Sequence, residues 1–188
     1  MTKLYLITGF LGAGKTTFLK KFLRLLGNPS VQMIVNEYGK EGIDGQLLRE
    51  TGAALNEINN GSIFCSCRLD LFEDTLAECL KNSPEILLIE ASGLSDPTNI
   101  RKILAQPGKY EEIEYMGAIC LADAGNFHKV YETAAVVKKQ ISVSDLILLN
   151  KTDCASEERI AEAEQMIWNH RPDLPVYRTS YGEMKEEW

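Results

Sequence analysis

The sequence predicts an α/β fold: a doubly wound, mostly parallel sheet with helices on both faces. Three observations predict it. Short apolar, β-rich runs alternate with stretches of helical periodicity, the order that strand–helix–strand units require. Several of those runs are almost continuously apolar, as strands covered on both faces must be. The first run passes through a glycine-rich turn straight into a helical pattern. At 188 residues the chain has the length of one domain, enough to bury about two-thirds of its unfolded surface.

The predicted strands are Leu4–Thr8, Val31–Asn36, Ile86–Glu90, Met116–Ala122, Leu146–Asn150 and Val176–Thr179. Between the first two, Phe18, Leu19, Phe22, Leu23 and Leu26 recur at helical spacing, and Gly27 with Pro29 stops the helix. A second helix carries Leu69, Phe72, Leu76 and Leu80 and ends before Asn82-Ser83-Pro84. A third follows Asp96-Pro97, where Asp can cap and Pro can occupy the first turn. A fourth spans Phe127–Ile141 and a fifth Ser156–His170. No internal repeat or linker interrupts the series.

Composition narrows the function. Hydrophobic residues make up 45% and charged residues 25%, a globular balance. A formal net charge of −7 argues against a nucleic-acid partner, which needs a basic face. No apolar run approaches the roughly 18 residues of a membrane span, and residues 1–3 do not open a signal peptide. The expected compartment is the cytoplasm. Five cysteines there point to metal or redox chemistry rather than a disulfide framework.

The strand Leu4–Thr8 leads into Gly9-Phe10-Leu11-Gly12-Ala13-Gly14-Lys15-Thr16-Thr17. This is the GxxxxGKT pattern of a P-loop in the strand–loop–helix setting its chemistry needs. Gly12 and Gly14 let the backbone curl so that N–H groups through Ala13 point at phosphate oxygens. The helix that opens at Lys15, Thr16 and Thr17 adds its positive end. Lys15 can bridge the β- and γ-phosphates, and the Thr16 hydroxyl can ligate Mg²⁺. A second motif, Asn150-Lys151-Thr152-Asp153, closes another strand and so lies on the same sheet edge. The Asp153 carboxylate can accept from guanine N1–H and the N2 amine. Adenine offers no such pair and leaves a carboxylate unmatched. Asn150 can contact the base edge and tie neighbouring loops; the Lys151 stem can lie over the base. GTP is favoured over ATP.

Glu90 ends an otherwise apolar strand, and a buried carboxylate needs a partner; Mg²⁺ or its water shell supplies one. Gly93 can offer its N–H to the γ-phosphate. Asn36-Glu37-Tyr38-Gly39 opens a loop toward Asp44 and Gly45, a candidate switch. Phosphoryl transfer needs positioning and charge neutralisation. Lys15, Thr16, Glu37 and Glu90 are the candidates for it. With no glutamine or arginine finger identifiable, slow intrinsic hydrolysis to GDP is expected.

Cys65-Ser66-Cys67 precedes the second helix. In extended chain both sulfurs point the same way, and Arg68 with the helix N-terminus favours thiolates. Two thiolates do not complete a tetrahedral Zn²⁺ site. Glu37, a histidine or a second protein can supply the rest, with Zn²⁺, Co²⁺ and Ni²⁺ all compatible. The same pair also reads as two small residues packed in a turn. Cys79 and Cys120 are expected in the core, and Cys154 has no assigned role. His128 and His170 are expected to cap or to lie at the surface.

Together these residues resemble the GTPase domain of the CobW-like family, relatives of the HypB and UreG nickel-delivery GTPases. The likeness runs from Leu4-Tyr5-Leu6-Ile7-Thr8-Gly9 through Asn36-Glu37-Tyr38-Gly39 with Gly42-Ile43-Asp44, and through Glu90-Ala91-Ser92-Gly93-Leu94-Ser95-Asp96-Pro97. It continues with Asp123-Ala124 and Phe127, then Asp145 and Asn150–Asp153, and ends at Thr179-Ser180-Tyr181-Gly182-Glu183. The resemblance implies a metal- or cofactor-insertion chaperone with a client metalloprotein or cofactor-dependent enzyme. It also implies a nucleotide-dependent homodimer and Ser180 in the last guanine-contacting loop. Two departures stand out. The family's GCxCC is replaced by Gly61-Ser62-Ile63-Phe64-Cys65, so its metal site is either rebuilt on Cys65 and Cys67 or lost. Members commonly continue into a smaller C-terminal domain and often a His-rich tract. Here residues 1–188 are expected to form a single GTPase domain without either. A GTP switch that remodels a partner enzyme without carrying metal is the alternative. An ATP-dependent kinase leaves Asn150–Asp153 unexplained.

Overall fold

A computed structural model describes residues 1–27, 30–37, 52–59, 64 and 69–185, without the side chains of Glu37 and Asn59. The elements are β1 (Thr2–Gly9), α1 (Lys15–Leu25), β2 (Val31–Glu37), β3 (Ala54–Asn59), α2 (Leu69–Leu80) and β4 (Ile86–Glu90). After them come α3 (Ile100–Leu104), β5 (Ile113–Asp123), α4 (Phe127–Thr133) and α5 (Ala135–Val143). The chain finishes with β6 (Leu146–Asn150), α6 (Glu157–His170) and β7 (Val176–Arg178). Among the described residues, seven strands form one sheet in the order β3-β2-β4-β1-β5-β6-β7. Every pairing is parallel. The chain leaves β1 toward β2, returns at β4, and then builds outward on the other side through β5. The carboxyl end of β1 is therefore the topological switch point, where α/β sheets open a crevice for ligands.

The apolar runs are explained by two covered faces. Ile7, Leu88, Leu121 and Leu148 point to one side, where α1 lays down Phe18, Leu19, Phe22 and Leu23. Their alternates Leu6, Leu87 and Ile89 meet Phe72 and Leu76 of α2 and Ile103 of α3. Farther along that side, Cys120, Ile147 and Leu149 meet Phe127, Ile141, Ile160 and Ile167. Each such side chain contributes about 1.5–3 kcal/mol when fully buried. Cys79 and Cys120 are buried, as expected of core thiols, and Cys154 is exposed. No helix of the described residues is long and apolar enough to cross a membrane.

The structure differs from the expected elements in three places. β3 does not stand out in the sequence; it is set by a full-length parallel pairing with β2. The expected helix over Phe127–Ile141 is two helices, because Ala134 is extended (φ −118°, ψ 100°). The break lets Phe127 of α4 and Val137 and Ile141 of α5 enter the same core cluster. Asp96 and Pro97 do not start α3. The Asp96 carboxylate accepts from Thr98 N (3.1 Å) and Thr98 Oγ1 (2.7 Å), closing a separate turn. The helix then begins at Ile100 after Asn99, whose side chain makes no capping bond. At α6 it is Ser156 that caps, its Oγ accepting from Arg159 N.

Both histidines are half-buried on helices. His170 bridges helices, with Nδ1 3.3 Å from Tyr131 Oη and Nε2 2.9 Å from Ser142 Oγ. His128 keeps a buried Nδ1 without a hydrogen-bond partner.

Candidate functional site

Gly9 ends β1 at φ 131°, in backbone so close to β5 that a Cβ would collide with Leu121 O. The loop then turns through Gly12 (φ 73°) and Gly14 (φ 100°) into α1, whose N-terminus has no side-chain cap. A helix start left uncapped by its own side chains presents its N–H groups to an anion. Lys15 Nζ donates to Gly9 O (2.9 Å) and Phe10 O (3.3 Å). Burial lowers its pKa, against the opposing pull of Glu90 and Cys120. Thr16 and Thr17 stand in the first turn of α1.

Glu90, 7% exposed, ends β4 and lies level with Ile7 of β1 and Val35 of β2. It thus stands between the phosphate loop and the end of β2, where Glu37 closes the strand. Gly93 packs on the loop itself: a Cβ there would lie 2.6 Å from Leu11 N. Only glycine lets these two backbones approach so closely.

Asn150 joins the phosphate loop to the base motif. Its Nδ2 donates to Ala13 O (2.9 Å), and its Oδ1 accepts from Gly182 N (2.9 Å). Gly182 in turn lies against the backbone of Phe18 in α1. Lys151 adopts the left-handed region (φ 62°) and opens the 3₁₀ turn Thr152–Cys154. Its Nζ pairs with Asp123 Oδ2 at 2.8 Å. Burial raises the Asp123 carboxyl, but Lys151, Asn126 and the Gly125 N–H together hold it below its ordinary value. Ser180 Oγ accepts from Asp153 N and lies 3.2 Å from Thr152 Oγ1. The Asp153 carboxyl is lowered by the Cys154 thiol and Ser180, which keeps it ionised and a pure acceptor.

The phosphate-loop residues, Gly93, Asn150, Lys151, Asp153 and Ser180 therefore stand together at one end of the sheet. Cys65, Cys67, the Glu37 side chain and the loop from Tyr38 to Gly45 lie outside the described residues. Asp123 and Gly182, which belong to the motifs of the resemblance without a role of their own, and Gln140, which belongs to none, are structural partners in the site. For Gln140 a signal existed: a polar residue on the same helical stripe as Val137 and Ile141.

A cavity of about 230 Å³ adjoins the phosphate loop, lined by Phe10, Leu11, Cys120, Phe127, Val137 and Gln140 among others. Lys15, Thr16, Asn150 and Asp153 do not line it, and its mostly apolar wall does not suit a triphosphate. Cys120 at its edge is no nucleophile, since burial pushes its thiol up to about 12.

The family profile "CobW/HypB/UreG, nucleotide-binding domain" matches residues 3–178. The zinc chaperone YjiA of Escherichia coli is 33% identical over 187 residues, covering 95% of this chain and 58% of that protein. The zinc chaperone YeiR of the same organism is 35% identical over 192 residues, covering 98% and 57%. The chain thus spans little more than half the length of these relatives. The crystal structure of Zn(II)-bound YjiA superposes with a TM-score of 0.73 at 25% identity, over 99% of this chain and 60% of that one. HypB of Archaeoglobus fulgidus, at 18% identity and a TM-score of 0.63, shares the fold.

Proposed function

The chain belongs to the CobW/HypB/UreG nucleotide-binding domain family, and from that premise we propose a Mg²⁺-dependent GTPase domain that gates the handling of a metal ion for a client protein. The observation that carries the guanine part is Asn150, whose single amide ties the phosphate loop to the loop after β7. That tie holds Asp153 and Ser180 at a fixed distance from Lys15 and Thr16, as a ligand with a base at one end and phosphates at the other requires.

The donor set fits Mg²⁺. The Thr16 hydroxyl, in the first turn after the phosphate loop, and the buried Glu90 carboxylate, at the end of the strand beside β1, are hard oxygen donors. They would hold the ion, Glu90 through water, and the ion would neutralise charge on the β- and γ-phosphates. Lys15 shares that charge, the loop N–H groups from Gly12 to Thr17 orient the phosphates, and Gly93 meets the γ-phosphate. Lys151 lies along the base, its ammonium steadied by Asp123. Residues 1–188 act as one GTPase domain with slow intrinsic turnover, in the cytoplasm.

Because the E. coli relatives are named zinc chaperones, Zn²⁺ heads Co²⁺ and Ni²⁺ as cargo, with Glu37, Cys65 and Cys67 as its ligands. A client metalloprotein or a second copy of the chain completes the four donors zinc prefers.

The test is a titration of each metal into protein with GDP, with a non-hydrolysable GTP analogue, and without nucleotide, repeated on Cys65→Ser/Cys67→Ser. Affinity that differs on the order of tenfold between nucleotide states, and is lost in the double variant, is the expected result. Affinity indifferent to both nucleotide and cysteines would sink the metal role and leave a guanine switch acting on a partner enzyme.

A further inference from the structure

Behind the phosphate site, three polar side chains that nucleotide chemistry does not use form a continuous buried chain. Gln140 of α5, 1% exposed, donates from Nε2 to Gly93 O (3.1 Å) and Ser95 O (3.4 Å). Ser95, also 1% exposed, donates from Oγ to Asn36 Oδ1 (2.9 Å). Asn36, 2% exposed at the end of β2, donates from Nδ2 to Ile58 O near the end of β3 (3.2 Å). Ser144 Oγ anchors the far end on Gln140 O (2.6 Å).

We propose that Gln140, Ser95 and Asn36 are positioning residues that transmit the phosphate state at Gly93 to the ends of β2 and β3. The argument rests first on packing. Gly93 touches the backbone of Leu11 in the phosphate loop with no room for a Cβ, so a γ-phosphate met by Gly93 moves or fixes its carbonyl. That carbonyl and Ser95 O share one amide group, so Gln140 ties the two ends of the Gly93–Ser95 turn to α5. Ser95 carries the same turn's position onto Asn36. Hydrogen bonds keep their strength only within narrow limits of distance and angle, so these groups shift together or part.

Chemistry supports transmission over packing. Apolar side chains of similar volume fill such a space at least as stably as a buried polar cluster. The polar version adds direction and a fixed register between elements. Its terminus is also informative. β2 runs into Glu37, and β3 runs on in sequence toward Cys65 and Cys67. The inference rests on the proposed GTP switch, whereas the coupling itself does not need metal.

The test compares hydrogen exchange in a peptide spanning 52–59, with GDP and with a non-hydrolysable GTP analogue, in wild type, Ser95→Ala and Gln140→Leu. Zinc affinity in the same two states is the second readout. Wild type is expected to show a nucleotide-dependent difference in exchange. Both variants are expected to lose it while GDP affinity stays within about twofold, and any zinc ratio on the order of tenfold falls toward one. Ser95→Ala removes a single oxygen, so it carries the test if Gln140→Leu fails to fold. A wild-type difference that persists in Ser95→Ala, or is absent from wild type, overturns the proposal. An exchange difference abolished by Ser95→Ala in a protein that binds no zinc supports the coupling while refuting the metal role.

Discussion

Asp153 is held ionised by its neighbours, and its part in base choice follows from counting donors. A carboxylate accepts twice, and guanine presents N1–H and the N2 amine side by side. In Asp153→Asn one acceptor becomes a donor, which faces the N2 amine and leaves both donors unpaired. Unmatched buried donors cost about 1–3 kcal/mol each. GTP affinity is therefore expected to fall on the order of 100-fold. Xanthine, with a donor at N1 and an acceptor at C2, matches the new amide, and XTP binding is expected to rise. Competition of GTP, XTP and ATP against a fluorescent GDP measures both; unchanged GTP affinity in the variant would remove Asp153 from base recognition. Asp153 was legible in the sequence because its tetrapeptide carries its own chemistry at a strand end. The contacts of Asp123 with Lys151 and of Gln140 with Gly93 were not. Those contacts join distant parts of the chain, and no local spacing encodes them.

Elements set the phosphate loop through crowding as much as through conformation, and two glycines separate the effects. Both Gly9 (φ 131°) and Gly12 (φ 73°) hold backbone that other residues avoid, but a Cβ at Gly12 meets nothing within 4 Å. At Gly9 it would drive into Leu121 O and separate β1 from β5. Gly12→Ala is expected to cost about 1–2 kcal/mol from conformation alone. Gly9→Ala adds overpacking and is expected to cost about 3–5 kcal/mol in total. At this chain length each kcal/mol lowers Tm by about 2–4 °C, so calorimetry without nucleotide resolves the two variants. Equal losses would mean that the β1–β5 contact does not constrain the loop. Six of the seven strands were readable because apolar runs announce them. β3 reads Ala-Leu-Asn-Glu-Ile-Asn, with one β-branched residue, and takes its form from pairing with β2 rather than from propensity. The bend at Ala134 is hidden for a similar reason. Alanine favours helix, so only the packing of α4 and α5 on the core reveals it.

Across the whole molecule, ion pairs staple segments far apart in sequence, and they fix how stability responds to acid. Lys139 holds Asp96 (2.6 Å), Lys109 holds Glu73 (2.5 Å) and Lys151 holds Asp123 (2.8 Å). All three carboxyls are depressed from their ordinary values of 3.8 or 4.5. A depressed carboxyl contributes stability that is fully present above its unfolded pKa and lost as pH falls through the folded one. None of the three therefore weakens the fold between pH 8 and about 5. Over that range the net charge of −7 also shrinks and relieves self-repulsion. Tm is expected to hold level or rise slightly down to about pH 5 and to drop below about pH 4. Exposed pairs contribute only about 0–1 kcal/mol, so the more sheltered pair should dominate the drop. That pair is Lys151–Asp123, where the Asp123 side chain is 15% exposed against 19% for Glu73 and 38% for Asp96, and Asp123 accepts two backbone N–H bonds besides. Asp123→Asn is accordingly expected to be less stable at pH 7 yet to lose less on acidification than wild type. Parallel Tm series from pH 8 to 3 decide it. Equal acid slopes in the two proteins would show that the lysine clamp on Asp123, and with it the rigid seat of Lys151, adds nothing to the folded state.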